Sequence, residues 1–547
     1  MTNPWWRTAV IYEVYPRSFA DSNGSGEGDI NGIRAKLPYL AALGVDALWI
    51  APWYPSPMAD GGYDVSDYCN IDPRYGTLED ADALIAEAAS HGIRIVIDLV
   101  ANHCSIQHAW FQRALAAAPG SPEREWFYFR DGLGENGDTP PNNWISNFGG
   151  IAWTRTKNSD GTDGQWYLHT FAPEQPDLNW NNEVVQQAFD DILRFWFDRG
   201  VAGVRADAVP AMAKVDGLPD ADYEGKPGFR SSEWTDNPHW DVPHIHEYMR
   251  RWRRVSDEYS GDRMFVTEAV VSSPERLALY VRPDEMHTSF NFDFLLGSWE
   301  PKTLREVIDQ TMDSLAPYGA PSTWVLSNHD VTRHVTRFGR KRQQKQLFGI
   351  DADDQPIDIA LGARRARAAA MLMLGLPGSV YFYQGEELGL PNVDDLPDEV
   401  LQDPMFFQSG GTNRGRDGCR VPLPWSGSVA PFGFSSTTAT WLPQPAEWAA
   451  LTAEAQESDE ASMLNLYRRA ISVRRSVAGL QGEDFEWIPS AEFVLAFRRG
   501  DVTCVFNFGE VPVELPIAGE VLVVSADAHL VEQGLLGSDC AVWIHTA

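Results

Sequence analysis

Gly200-Val201-Ala202-Gly203-Val204-Arg205-Ala206-Asp207 is the stretch whose reading decides the fold. Its small and β-branched residues, opened by glycine, leave no helical face, so the pattern predicts a short buried strand. Two charges sit inside it. Period-two alternation places Arg205 and Asp207 on the same side. Taking two ions out of water costs several kcal/mol each unless both find partners. A buried strand ending in Arg-x-Asp therefore either joins a structural ion network or lines an active site, and the stretch alone leaves both open.

Outward from it, strand-like and helix-like segments alternate. Strands are predicted over residues 10–15, 47–51, 93–100, 264–268, 289–292, 324–326 and 379–383, which with 200–207 makes eight. Helical spacing of apolar residues appears over 33–43, 81–90, 188–199 and 363–374. Eight strand–helix units predict an α/β fold closed as a (β/α)8 barrel, with its chemistry at the C-terminal strand ends. An open doubly wound sheet is the alternative, weakened because no G-x-G-x-x-G turn follows the first strand. The rhythm breaks over residues 104–177, which are polar and rich in Gly, Asn, Pro and Trp. That length is too great for an ordinary connection, so a small inserted domain B is expected after strand three. The barrel then comprises residues 1–103 and 178–476, and the helix-free end, 477–547, is expected to be an antiparallel β-sandwich domain.

The 547-residue chain carries 44 Lys and Arg against 77 Asp and Glu, a formal charge of −33. That sign disfavours nucleic acid and anionic membranes as partners. No apolar run approaches membrane-spanning length, and no basic start with an apolar stretch marks an export signal. The five Cys form no CxxC pair, which fits reduced thiols in a cytoplasm. A cytoplasmic monomer or homodimer is expected.

The polar residues that end the predicted strands form a set. Strand three ends on Asp98 to Asn102-His103, strand four on Arg205-Ala-Asp207, strand five on Glu268, and strand seven on Asn328-His329-Asp330. In a barrel these ends converge on one pit. The pit would hold three carboxylates, two His and an Arg, with no Cys and no HExxH spacing, so no catalytic metal is expected. Facing carboxylates without a cofactor do acid/base and nucleophilic work, and glycoside cleavage is the reaction that most needs a pair of them.

These four stretches resemble the conserved regions of glycoside hydrolase family 13, the α-amylase family. The resemblance implies that Asp207 is the nucleophile, Glu268 the general acid/base and Asp330 the carboxylate that orients sugar hydroxyls. It implies that Arg205 holds Asp207 ionised, that His103 and His329 donate to sugar hydroxyls, and that Asp98 is structural. Gln175-Pro-Asp-Leu-Asn179 is similar to a marker of the α-glucosidase and oligo-1,6-glucosidase branch, and Arg416-Asp-Gly-Cys-Arg420 to another, with Gly418 in place of the usual Asn. On matching positions Asp60, Tyr63, Phe148, Phe171 and Arg416 would complete the pocket. An Asp60–Arg416 pair would close it beyond the non-reducing end. Ala208, after the nucleophile, would accompany α-1,4 rather than α-1,6 preference. Loop packing is the other reading of Phe148 and Phe171.

One stretch lies apart. Asp21, Asn23, Ser25, Glu27 and Asp29 place oxygen side chains at every second residue. Such loops hold hard cations, so a structural Ca2+ or Mg2+ is a candidate, and a Gly-rich solvated turn the alternative. The function expected is a retaining exo-α-glucosidase acting on short oligosaccharides or small glucosides. A transglucosylase, a hydrolase of the sucrose or trehalose type, or an isomerase would use the same residues; a non-catalytic binding module would not need all three carboxylates.

Overall fold

The computed structural model describes residues 4–223, 236–341 and 356–546. Its barrel strands are β1 (Val10–Val14), β2 (Ala47–Ile50), β3 (Arg94–Val100), β4 (Gly203–Asp207), β5 (Met264–Thr267), β6 (Thr288–Ser289), β7 (Thr323–Val325) and β8 (Ser379–Tyr383). They form one sheet in the order β7-β8-β1-β2-β3-β4-β5-β6. All its pairings are parallel, and the last strand lies beside the first. This is a (β/α)8 barrel, with the short β6 and β7 at the two ends of the ladder.

Alternation along the strands explains both its stability and its site. Val10, Tyr12, Val14, Leu48, Ile50, Ile95, Ile97 and Leu99 face outward into the main core under the helices. Ile11, Ala47, Trp49, Val96, Met264, Val266, Val325 and Tyr381 face inward and fill the barrel. Two residues further along three of these inward columns, the side chains become Glu13 on β1, Asp98 on β3 and Glu268 after β5. The barrel is therefore apolar below and ionic at its C-terminal mouth. Gly203 is required where β4 meets β5, because a Cβ there would stand 2.6 Å from Met264 Cγ.

Local signals set the helix limits. The helix Glu183–Asp198 begins where the Asn182 side chain accepts the Val184 N–H at 2.9 Å. It ends at Gly200, whose φ of 99° turns the chain toward β4. One expectation is corrected. Residues 289–292 are not a strand: pairing stops at Ser289, and the Asn291 side chain accepts the Phe294 N–H at 3.0 Å, capping a helical turn over Phe292–Leu295. Asn is a strong cap, and that local bond outcompetes the ladder.

Between β3 and β4 lies a three-stranded antiparallel sheet, with Asp163–Leu168 between Phe129–Arg130 and Trp153–Lys157. After the barrel comes a five-stranded antiparallel sheet in the order Glu486–Trp487, Val494–Arg499, Val502–Asn507, Cys540–His545, Glu520–Val524.

Candidate active site

The β3–β4 register pairs Asp98 with Arg205 and Val100 with Asp207. The buried Arg205 guanidinium becomes the hub of the pit. Its Nη1 donates to Asp98 at 2.9 Å and to Asp207 at 2.5 Å, and its Nη2 lies 2.6 Å from Glu268. Asp98 also accepts from Trp49 Nε1 at 3.2 Å and the Tyr63 hydroxyl at 3.0 Å. Arg205, Asp98 and Glu268 each have several partners, which is the condition for burying an ion.

Burial pushes the Asp207 carboxyl up, and the Glu268 charge pushes it the same way; Arg205 pulls it down. Arg205, in contact with both Asp207 and Glu268, is thus the cation that favours the ionised nucleophile. The residue between them in space is Ala208, in the left-handed region at φ 42°, whose N–H donates to Glu268 at 3.1 Å. That conformation is costly for a residue with a Cβ, and here it aims a backbone donor at the acid.

On the opposite wall, Arg416 holds three carboxylates: Asp60 at 2.5 Å, Asp330 at 3.1 Å and Asp403 at 2.5 Å. Arg420 adds a bond to Asp330 at 2.9 Å. Burial would push the Asp330 carboxyl up, but the Arg416, Arg420 and Arg205 guanidiniums outweigh it and hold it well below the usual range. His103, made neutral by burial, meets the Tyr63 carbonyl at 3.0 Å and the Gln175 amide at 3.1 Å.

One pocket is lined by Asp60, Tyr63, His103, Phe148, Phe171, Asp207, Ala208, Glu268, Asp330 and Arg416. The structure therefore brings together the three carboxylates and most of the expected pocket residues. Arg205 and His329 stand behind the wall rather than in it. The Phe148 and Phe171 rings lie 5.5 Å apart, and Arg416 stacks 5.2 Å over Phe148, so these aromatics pack on each other and line the pocket at once.

Sequence reasoning missed Asn147, Trp240 and Val270 in the lining, and Glu13, Gln175, Asp403 and Arg420 behind it. Glu13 ends an inward column, so the strand-end rule applied to β1 would have found it. Lys214 had no signal. It is fully buried, with its ammonium 2.7 Å from Asp177 and 2.9 Å from Asn102, and it ties the end of the inserted segment to β3 and the loop after β4.

The Asp21–Asp29 loop is closed by its own donors. Asp21 accepts the N–H groups of Asn23, Gly24, Ser25 and Gly26 at 2.7 to 3.3 Å. Asp29 accepts from Ser22 and Gly32, and Glu27 pairs with Arg17 at 2.6 Å. Among the described residues no three acidic, His or Cys side chains are placed to share a metal ion.

A (β/α)8 barrel with clustered carboxylates in a closed pocket defines a class, the glycoside hydrolases of this fold. Within it, the chain belongs to the α-amylase family, glycoside hydrolase family 13: the model of the α-amylase catalytic domain matches residues 13–482. A probable α-glucosidase of Rhizobium meliloti is 38% identical over 529 residues, covering 92% of this chain and 90% of the relative. An oligo-1,6-glucosidase of Heyndrickxia coagulans is 35% identical over 507 residues, covering 86% and 85%. The solved structure of the α-glucosyl transfer enzyme XgtA superposes with a TM-score of 0.85 at 36% identity, covering 100% of both chains. No helix among the described residues is long and apolar enough to cross a membrane.

Proposed function

We propose that the protein is an exo-acting α-glucosidase that releases glucose from the non-reducing end of short α-glucosides by double displacement, in the cytoplasm, as a monomer or homodimer. The observation that carries this is the Arg416–Asp60 ion pair across the pocket that holds Asp207 and Glu268. A pocket closed on one side admits a chain end and not a chain interior. The Arg205 guanidinium that touches both carboxyls supports the retaining geometry, which needs a separation near 5–5.5 Å in place of the ~6.5–9.5 Å of inverting enzymes.

In this reading the ionised Asp207 attacks the anomeric carbon as Glu268 gives its proton to the leaving oxygen. The glycosidic bond breaks and a glucosyl ester forms on Asp207. Glu268, now a carboxylate, takes a proton from water, which cleaves the ester and restores the pair. Asp330, kept ionised by its cations, accepts from sugar hydroxyls, and His103 lines the pocket beside them. A sugar or alcohol in place of that water makes the same enzyme a transglucosylase. The likeness to XgtA, described as an α-glucosyl transfer enzyme, is what favours that second reading.

Bond preference tests the hydrolase reading. Wild type is expected to have the higher kcat/KM on maltose than on isomaltose, and Ala208→Val to shift the ratio toward isomaltose. Ala208 lines the pocket beside the acid, and a displacement near 1 Å of the second ring costs on the order of 10²-fold. At φ 42° a β-branched residue is strained, so the variant's melting temperature is measured alongside. Preference of wild type for isomaltose would refute the assignment. Time-resolved products from maltose, isomaltose, sucrose and trehalose separate hydrolysis from transfer and isomerisation.

The chemistry as drawn uses no metal, and activity is expected to survive chelators. Because the Asp21 and Glu27 carboxylates already have donors, adding Ca2+ or Mg2+ to the stripped protein is expected to leave its melting temperature unchanged. A rise would mean a native-state cation site.

A further inference from the structure

Glu13 stands at the inner end of β1, 1% exposed, and takes no part in the chemistry above. Its Oε1 lies 2.5 Å from Nδ1 of the His329 ring and 3.4 Å from the His329 backbone N–H. The ring is held between Tyr63, parallel to within 8° at 5.1 Å, and Tyr15 at 6.0 Å. Its other nitrogen, Nε2, is 3.4 Å from Asp330 Oδ1 and has no hydrogen-bond partner among the described residues.

We propose that Glu13 is a positioning residue that keeps a hydrogen on Nε2 of His329, making the ring a standing donor toward Asp330, the carboxylate that meets the sugar hydroxyls. This rests on the assignment of Asp330 to the sugar hydroxyls. When the pair holds two protons, Nε2 carries one of them in either arrangement. With the other on Nδ1, the pair is carboxylate and imidazolium; with the other on Glu13, Nδ1 accepts and the imidazole is neutral. With one proton fewer, the remaining one sits on Nδ1 against the Glu13 carboxylate and Nε2 is bare. Its lone pair would then face an ionised Asp330 at 3.4 Å.

The surroundings act in both directions. Arg205, Arg416 and Arg420 favour losing the proton, while Asp330 and Asp98 oppose it. The phenols of Tyr15, Tyr63 and Tyr383, all pushed up by burial, stay neutral. Burial pushes Glu13 up and His329 down, which favours the uncharged form of the pair and so the hydrogen on Nε2. A histidine's second nitrogen is commonly set in this way by the partner of its first.

The test is nitrogen-15 NMR of protein labelled at its 12 histidines, with His329 assigned from the signal lost in His329→Gln. In wild type, Nε2 of His329 is expected to show a pyrrole-type shift and a bonded proton from about pH 5 to 8, the range in which a free histidine titrates. In Glu13→Gln, the amide oxygen is favoured at the old Oε1 position, because the His329 backbone N–H also points there. It then takes the Nδ1 hydrogen and leaves Nε2 pyridine-type. The same variant is expected to lose about 10–100-fold in kcat/KM on maltose, the range seen when a partner that orients a histidine is removed. Added to His329→Gln, it is expected to cost less than about threefold more, because both changes break one unit. A pyridine-type Nε2 in wild type, an unchanged shift in Glu13→Gln, or multiplying losses in the double variant would each overturn the proposal. If Glu13→Gln does not fold, the wild-type spectrum alone decides. That spectrum involves no substrate: failure of the maltose assay leaves it standing, and a bare Nε2 leaves the glucosidase reading standing.

Discussion

Glu268→Gln is expected to lower turnover of maltose by about 10²–10⁴-fold, the usual worth of a positioned general acid. An aryl α-glucoside with an acidic phenol as leaving group is expected to lose at least tenfold less in its first step. The amide is nearly the shape of the carboxyl and can still accept the Ala208 N–H, now 3.1 Å from Glu268, and the Arg205 Nη2 hydrogen. What it lacks is a proton to give. A sugar leaving as alkoxide needs that proton; a nitrophenolate does not. Asp207→Asn, by contrast, is expected to abolish both reactions alike, since it removes the attacking oxygen. Parallel steady-state and burst measurements on maltose and 4-nitrophenyl α-glucoside make the comparison. Equal losses on both substrates in Glu268→Gln would remove this residue from the acid role.

Lys214→Met is expected to cost about 3–5 kcal/mol of stability, the penalty for breaking a buried pair and leaving one charge uncompensated. Asp177 keeps donors from Thr170 and Asn102 but loses the cation that balances it in a fully buried site. Adding Asp177→Asn removes the orphaned charge, so the double variant is expected to recover at least half of the loss. Denaturant unfolding, followed by tryptophan fluorescence, reads both. A double variant as unstable as the sum of the singles would show that the two residues do not act as a pair.

The strand-end rule worked because it is local. Period-two alternation and position at a strand's C-terminal end are properties of a few adjacent residues, and they marked Asp98, Arg205, Asp207, Glu268 and Asp330 before any packing was known. The same rule left out Glu13, one acidic residue in the apolar run Val10-Ile-Tyr-Glu-Val14. The strand expected over 289–292 failed for an equally local reason, the capping strength of Asn291.

From the sequence alone follow the barrel rhythm, the interruption after strand three, the change of character near the C-terminus and the identity of the three carboxylates. Each rests on hydrophobic period or on residue type at a strand end. The tertiary structure alone decided how those charges share partners. Asp60 and Arg416 are 356 residues apart, Glu13 and His329 316, and Asn102 and Lys214 112. Such pairs depend on where loops return after closure of the barrel. A buried ion is tolerated only when its partners arrive from elsewhere in the chain. No period in the sequence records that arrival, and it sets which carboxyl keeps a proton and which is held ionised.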